Sequence, residues 1–466
     1  MIKREANVNE TKLRAPAVVG VDIGSTNSKV VILDPDGRIV CRQSRPTPRS
    51  TFDLSVAAME LLSMLEEMIV QACGDSYSVQ AVAIAGIGED GVLVDARLNP
   101  LTPAMAWFDP RRRDLFAHIQ PLLDASTDDL GVFDDPARTL AGWYWAQHQP
   151  NVDAAHAWLA LTDFSASYWA GSPFMSDTLA ARTGAWKVGQ GQWSVERVEA
   201  CLSSTALLPP VRSAGEIIGP LRSAKLHRAG VLLEDAVVVA GGHDHPVGGW
   251  GVNQMRPESI LDSMGTAEVV VAQSSGKVVR HQDVDVAHGI CSEGTSLLSV
   301  HELSRNVEWA SQEPGVKSAL RAIITGSLRP DSYLTSECFI AGGRGGESPH
   351  FSSDCPDDHI SRASAVAGAL SRLGNASVEN IAKHMHPDAV LFCAGGWARS
   401  RGWIDLKQSL GMRDIQVIGE PEVTAVGAAL LAATAINWKV DASVALSGGL
   451  KADTCPFSAV KPALVS

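Results

Sequence analysis

Hydrophobic and polar positions along this chain switch repeatedly between a period of two and a helical period. From Ala17 to Val21 an apolar, β-rich run ends in Asp22. It passes a small-residue turn (Gly24, Ser25, Thr26, Asn27) and returns as a second apolar run from Val30 to Leu33, which predicts a hairpin. A turn at Asp34-Pro35-Asp36-Gly37 leads into a third strand around residues 38–41. Residues 53–73 place apolar side chains at helical spacing with Glu60, Glu66 and Glu67 between them, an amphipathic helix, and residues 79–85 form a buried strand. Strand, helix, strand is the signature of an α/β sheet. Residues 115–210 read as mostly helical and Ala/Trp-rich, with Trp143, Tyr144 and Trp145 as core aromatics and Asp177 as a helix cap. A strand at 237–240, helical segments around 301–309 and 361–373, and a strand running into Gly395 and Gly396 complete the pattern.

The opening hairpin occurs twice. Residues 259–279 again run apolar, then Asp262, then Gly265-Thr266, then Val269 to Val271, with Thr26 and Thr266 in matching places 240 positions apart. Such turns leave backbone N–H groups uncovered and add a hydroxyl donor, which suits a phosphate oxygen, and a carboxylate at the edge can hold a cation. Two of them suggest two related domains facing one nucleotide. Elsewhere, Glu89 and Asp90 sit among glycines at a strand end, where they can accept hydrogen bonds from hydroxyl groups. Asp244 follows Gly241 and Gly242 at the end of an apolar strand, a carboxylate with little steric cover, flanked by His243 and His245. A His-Asp-His run also admits a transition-metal site for a hydrolase, since alternate strand residues point one way.

The segments Asp22-Ile-Gly-Ser-Thr-Asn, Gly241-Gly-His-Asp244, Gly265-Thr266 and Ala394-Gly-Gly-Trp-Ala398-Arg-Ser400 stand in the order seen in the FGGY carbohydrate kinases, which the chain resembles from about residue 17 to about 435. That family belongs to the actin-like ATPases. The resemblance implies two ribonuclease-H-like α/β domains with a cleft between them, a first domain over 17–252, a second over 253–440, and tails at 1–16 and 441–466. It further implies ATP-dependent phosphorylation of a sugar or polyol hydroxyl, a ketopentose or a related four- to seven-carbon substrate. Asp244 matches the family's general base, and Asp22 would position Mg²⁺ together with Asp244. Gly24, Ser25, Thr26, Asn27, Gly265 and Thr266 would hold phosphates, and Gly395, Gly396, Ala398 and Ser400 match the adenosine motif. Glu89, Asp90, Trp107, Asp109 and His245 would meet the acceptor, Trp107 with an apolar face and Asp109 with a further acceptor for hydroxyls. Glu422 and Gly427 match a closing helix, where Gly427 reads as a packing residue. Gly343 stands where the family has a glutamate, so no role is carried over to Arg344.

Charge and composition narrow the partners. With 39 Lys and Arg against 52 Asp and Glu, the formal charge of −13 argues against nucleic acid. Eight scattered cysteines without a C-x-x-C motif point to reduced, cytoplasmic usage and count against an activator ATPase, which needs cluster-binding thiols. A sugar-sensing regulator would lack the base that Asp244 supplies. No membrane span or signal peptide is read, and a homodimer is left open.

Overall fold

The computed structural model describes residues 14–449 except 125, 126, 128, 282 and 344–347, so Arg344 and Cys455 lie outside the described residues. Two six-stranded mixed sheets carry the chain. The first contains β1 (Ala15–Ile23), β2 (Asn27–Leu33), β3 (Ile39–Pro46), β4 (Tyr77–Gly86), β5 (Ile217–Pro220) and β6 (Leu232–His243). The second contains β7 (Ser259–Met264), β8 (Ala267–Ser274), β9 (Asp285–His288), β10 (Thr295–Glu302), β11 (Val390–Ala394) and β12 (Ile415–Val417). Their orders are β5-β6-β4-β1-β2-β3 and β9-β10-β8-β7-β11-β12. In each, an antiparallel three-strand meander continues through two strands parallel to its first strand. The repeated hairpin is therefore the visible part of a repeated sheet.

Five helices matter for the site: α1 (Ala58–Cys73), α2 (Asp244–Met255), α3 (His359–Ala382), α4 (Arg401–Leu410) and α5 (Val423–Ala435). The last helix of each half packs across to the other sheet. Helix α5 lies on β1, β2 and β4, α2 lies on β7 and β8, and the two helices cross between the sheets. Small residues permit this. A Cβ on Gly20 would stand 1.9 Å from the Ala425 carbonyl, and one on Gly427 would stand 2.5 Å from that of Val247. Gly427 is thus a packing glycine. Strand β1 divides its side chains by the period of two. Val19, Val21 and Ile23 join α1 in an outer core, while Val18 joins Val247, Val271 and Ala428 in a core shared by both halves.

Several expectations shift. The third strand runs to Pro46, beyond residue 41, because β2 offers a ladder along its whole length. The helix of 53–73 starts at Ala58. The stretch 115–210 is not mostly helical: short helices alternate with two- to four-residue strands, one of which pairs 157–160 with 91–94. Residue 441 does not begin a free tail, since Asp441 caps a turn of helix whose Ala442 and Ala445 are buried in the shared core. Trp143 is core, packed edge-on to Trp158. Among the described residues no helix is long and apolar enough to cross a membrane.

Candidate active site

The two turns of the repeated hairpin are held by the same device. At the first, Gly24 N–H donates to the Asn27 carbonyl at 3.1 Å. Thr47 donates from Oγ1 to Gly24 O at 2.7 Å and from its amide to Thr26 O at 2.9 Å. At the second, Gly265 N–H donates to Ala267 O at 2.9 Å, while Ser304 donates from Oγ to Gly265 O at 3.0 Å and from its amide to Thr266 O at 2.9 Å. In both, one hydroxyl residue from a neighbouring segment ties the turn's carbonyls back and leaves its tip, Thr26 or Gly265-Thr266, exposed. A turn with its acceptors already engaged is suited to an anion. The first is braced further: Arg49 donates to Ser25 O at 2.7 Å and the Trp107 indole N–H to Ser25 Oγ at 2.9 Å. Trp107, expected at the acceptor, is in contact with the first turn.

Asp22 and Lys29 face each other across the hairpin. Lys29 Nζ is 2.7 Å from Asp22 Oδ2 and 3.6 Å from Glu422 Oε2, the residue preceding α5. The neighbouring carboxylate of Asp22 holds the Lys29 ammonium well above its ordinary range against the effect of burial, with Glu422 and Asp244 adding to it. Lys29 is a site residue the motif reading passed over, although the hairpin register alone puts it opposite Asp22.

Asp244 opens α2 directly at the end of β6. The preceding glycines serve packing rather than access: a Cβ on Gly241 would lie 1.8 Å from Ile84 O, and one on Gly242 2.2 Å from Thr178 Oγ1. Asp244 Oδ1 accepts the His245 amide at 2.7 Å and lies 3.2 Å from His243 Nε2 and 3.7 Å from His245 Nε2. Burial raises its pKa, His245 opposes that, and the charges of Asp22 and Glu89 add to it. The side chain keeps 23% of its surface exposed. The two imidazoles do not share a strand face, because the chain turns from strand to helix between them, and both are directed at Asp244. Among the described residues no group of three or more His, Cys, Asp and Glu side chains is placed to hold a metal by itself.

The paired carboxylates after β4 part company. Glu89 Oε1 accepts from Arg182 Nε at 2.9 Å and Nη2 at 2.7 Å. Asp90 is fully buried, 3.3 Å from Arg49 Nη2, and burial pushes its pKa up to about 6. Asp90 is thus sealed beneath the site and does not present hydroxyl acceptors to the cleft, because in the connection between residues 86 and 91 its carboxylate is turned inward onto Arg49. Asp109 is also nearly enclosed and accepts from the Arg111 amide at 2.9 Å and its Nε at 3.0 Å. Trp107, Asp109 and Arg112 line an open cavity of about 380 Å³ that Glu302 and Arg305 of the second half also border.

In the second half, Gly395 has φ +91°, and a Cβ there would meet Met264 O at 2.3 Å, whereas beyond Gly396 there is open space. Ala398 is buried and Ser400 precedes α4. Asp262, the counterpart of Asp22, is 2.7 Å from Lys407 Nζ, which also binds Glu268; all three are buried. Both carboxylates therefore carry a lysine at 2.7 Å, but Lys29 keeps 26% of its side chain exposed, whereas Lys407 and Asp262 are fully enclosed.

Comparison with known proteins bears on family and fold. The model of the FGGY family of carbohydrate kinases, N-terminal domain, matches residues 17–251. The L-fuculokinase of Escherichia coli strain K12 is 25% identical over 450 residues, covering 90% of this chain and 92% of that protein. The xylulose kinase of the same strain is 26% identical over 445 residues, covering 90% of each. A crystal structure of Plasmodium falciparum glycerol kinase with ADP superposes with a TM-score of 0.78 at 15% identity, covering 94% of both chains, a likeness of fold.

Proposed function

The chain belongs to the FGGY family of carbohydrate kinases, and from that premise we propose that it transfers the γ-phosphoryl group of ATP to a hydroxyl of a small sugar or polyol, xylulokinase-like, with Asp244 as general base. The family is one of phosphotransferases, and the α/β fold with two actin-like lobes suits a nucleotide held between them. The observation that supports the residue assignment is the pairing of Asp22 with Lys29 at 2.7 Å beside a turn whose carbonyls are tied back, with the charge of Asp244 felt at the same ammonium.

Residues 17–252 supply the acceptor side and first phosphate turn, and 253–440 the second turn and adenosine side. The acceptor hydroxyl donates its hydrogen bond to Asp244. As its oxygen bonds to the γ-phosphorus and the bond to the bridging oxygen breaks, Asp244 takes the proton and ADP leaves. A carboxylate with a raised pKa is the stronger base. Ser25, Thr26, Asn27, Gly265 and Thr266 hold phosphate oxygens, and Gly396 offers an uncovered backbone face for adenine beside Ala398 and Ser400. Glu89 and His245 border the acceptor near Asp244, and Trp107 couples it to the first turn.

Mg²⁺ fits this donor set. Asp22, Asp244 and Glu422 set three carboxylates against one ammonium, and Mg²⁺ takes carboxylate oxygen, water and phosphate ligands. Asp22 would hold it through water. When bound it neutralises charge on the phosphates. Closure of the lobes keeps water from the phosphoryl group, and the cytoplasm supplies the ATP. The test is ADP release from MgATP with a panel containing xylulose, L-fuculose, glycerol and gluconate. Acceptor-dependent release is expected, and a panel without any response would refute the kinase reading.

A further inference from the structure

The geometry points to Arg182 and Asp285 as positioning residues that tie the acceptor-side carboxylate of Glu89 to the second lobe. The inference rests on the proposed kinase reading and adds to it a link between acceptor recognition and lobe position.

Arg182 uses its whole fork. Nε and Nη2 both go to Glu89 Oε1, and Nη1 goes to Asp285 Oδ2 at 2.9 Å. Arg138 closes the ring, with Nη2 3.0 Å from the same Asp285 oxygen and Nη1 3.8 Å from Glu89 Oε1. Two guanidinium groups and two carboxylates thus form a neutral cycle whose side chains are between 4% and 12% exposed. Asp285 opens β9, the edge strand of the second sheet, whereas the other three residues lie in the first half. The strand is fastened there by its backbone, Val286 N–H donating to Gly131 O at 2.7 Å. Arg280 adds a bond to Val132 O at 2.8 Å and lies over the Phe133 ring at 3.8 Å.

The cycle reaches the reacting end of the cleft. A Cβ on Gly88 would sit 2.9 Å from Arg182 Cγ and 2.9 Å from His243 Cδ2, so the Arg182 stem and the imidazole beside Asp244 lie over one backbone position. Glu89 is also close enough to Asp244 to raise its pKa. In a desolvated ring of this kind, displacing one charge leaves its neighbours without their counter-charge, so the members move together. Opening or closing the second lobe carries Asp285, and with it the orientation in which Arg182 holds Glu89. A lysine at 182 has one ammonium and cannot serve both carboxylates in fixed geometry.

The test compares wild type, Asp285→Asn and Arg182→Lys, each checked for folding by thermal unfolding, using xylulose and L-fuculose as acceptors. Both variants should raise the acceptor KM about tenfold, which corresponds to about 1.4 kcal/mol, while the MgATP KM stays within about twofold. An unchanged acceptor KM, or equal rises in both KM values, would overturn the inference. If Arg182→Lys does not fold, Asp285→Asn decides alone. A wild type that turns over neither sugar nor any panel member overturns the kinase reading and this inference with it. A turning-over wild type with unperturbed variants overturns only the inference.

Discussion

Replacing Asp244 by asparagine removes the base and little else. The structural role of Asp244 Oδ1 is to accept the His245 amide at 2.7 Å and to face the two imidazoles, and an amide oxygen in the same place can do both. The substitution also deletes one charge from a set in which Asp22 and Glu89 already repel it. The fold should therefore be indifferent, with the unfolding midpoint within about 2 °C of wild type. Catalysis should not be. General-base contributions run to about 10²–10⁴-fold, or roughly 2.7–5.5 kcal/mol of barrier, and the loss should fall on kcat with the acceptor KM nearly unchanged, because the interaction strengthens only as the proton moves. The assay is acceptor-dependent ADP release under saturating MgATP. In the wild type, kcat/KM should rise with pH through a midpoint above about 3.9, the ordinary aspartate value, since burial has raised the Asp244 pKa. A variant with wild-type kcat would refute the assignment of the base. A kcat loss accompanied by a large drop in midpoint would show instead that Asp244 is structural.

Three further outcomes rest on the same geometry. Lys29→Met leaves Asp22, Glu422 and Asp244 without their ammonium, so kcat/KM for MgATP should fall at least about tenfold and become more sensitive to Mg²⁺ concentration in steady-state assays. Gly427→Ala pushes a methyl to 2.5 Å from Val247 O between the crossing helices, which should cost about 1–3 kcal/mol in denaturant titration. Burial pushes Asp163 and Asp177 up to about 7, against about 3.9 in an unfolded chain. The native state then holds protons the unfolded state releases, so this stabilisation is complete below about pH 4 and is lost as pH rises through about 7. Asp163→Asn should flatten that slope, and an unchanged slope between pH 5 and 8 would count against the assignment.

What could be read from the chain is what is local. Both hairpins, their matching Asp and Thr, the strand before Asp244 and the glycine pair after β11 are encoded by neighbours in sequence, where period and turn chemistry speak directly. Asp90 lies inward because Arg49, 41 positions away, draws its carboxylate, and nothing in the local run Gly88-Glu89-Asp90 names that partner. The partners of other buried charges were invisible for the same reason. Glu89 meets Arg182, 93 positions on, and Lys407 meets Glu268 across 139, and nothing in either segment's pattern names the other. The exchange of α2 and α5 between sheets is equally non-local. Its only trace in the sequence is a set of small residues, Gly20, Gly251 and Gly427, whose meaning depends on what lies opposite.

Lys407 gives the duplicated hairpins unequal chemical fates. A tethered ammonium occupies the neighbourhood of Asp262 permanently, at an effective concentration no dissolved ion can match. Each hairpin carries an ammonium 2.7 Å from its carboxylate, Lys407 at Asp262 and Lys29 at Asp22, but Lys29 is shared with Glu422 and feels Asp244 as well, so the first should draw further positive charge from solution. Chelation of divalent ions should accordingly be felt on one side of the cleft. Amide exchange should change around residues 22–29 on adding EDTA to the MgATP-bound protein beyond what loss of nucleotide explains, while β7 and β8 stay as they were. Of two matching carboxylates, Asp262 has become internal scaffolding, enclosed with its lysine, while the lysine of Asp22 stays within reach of water.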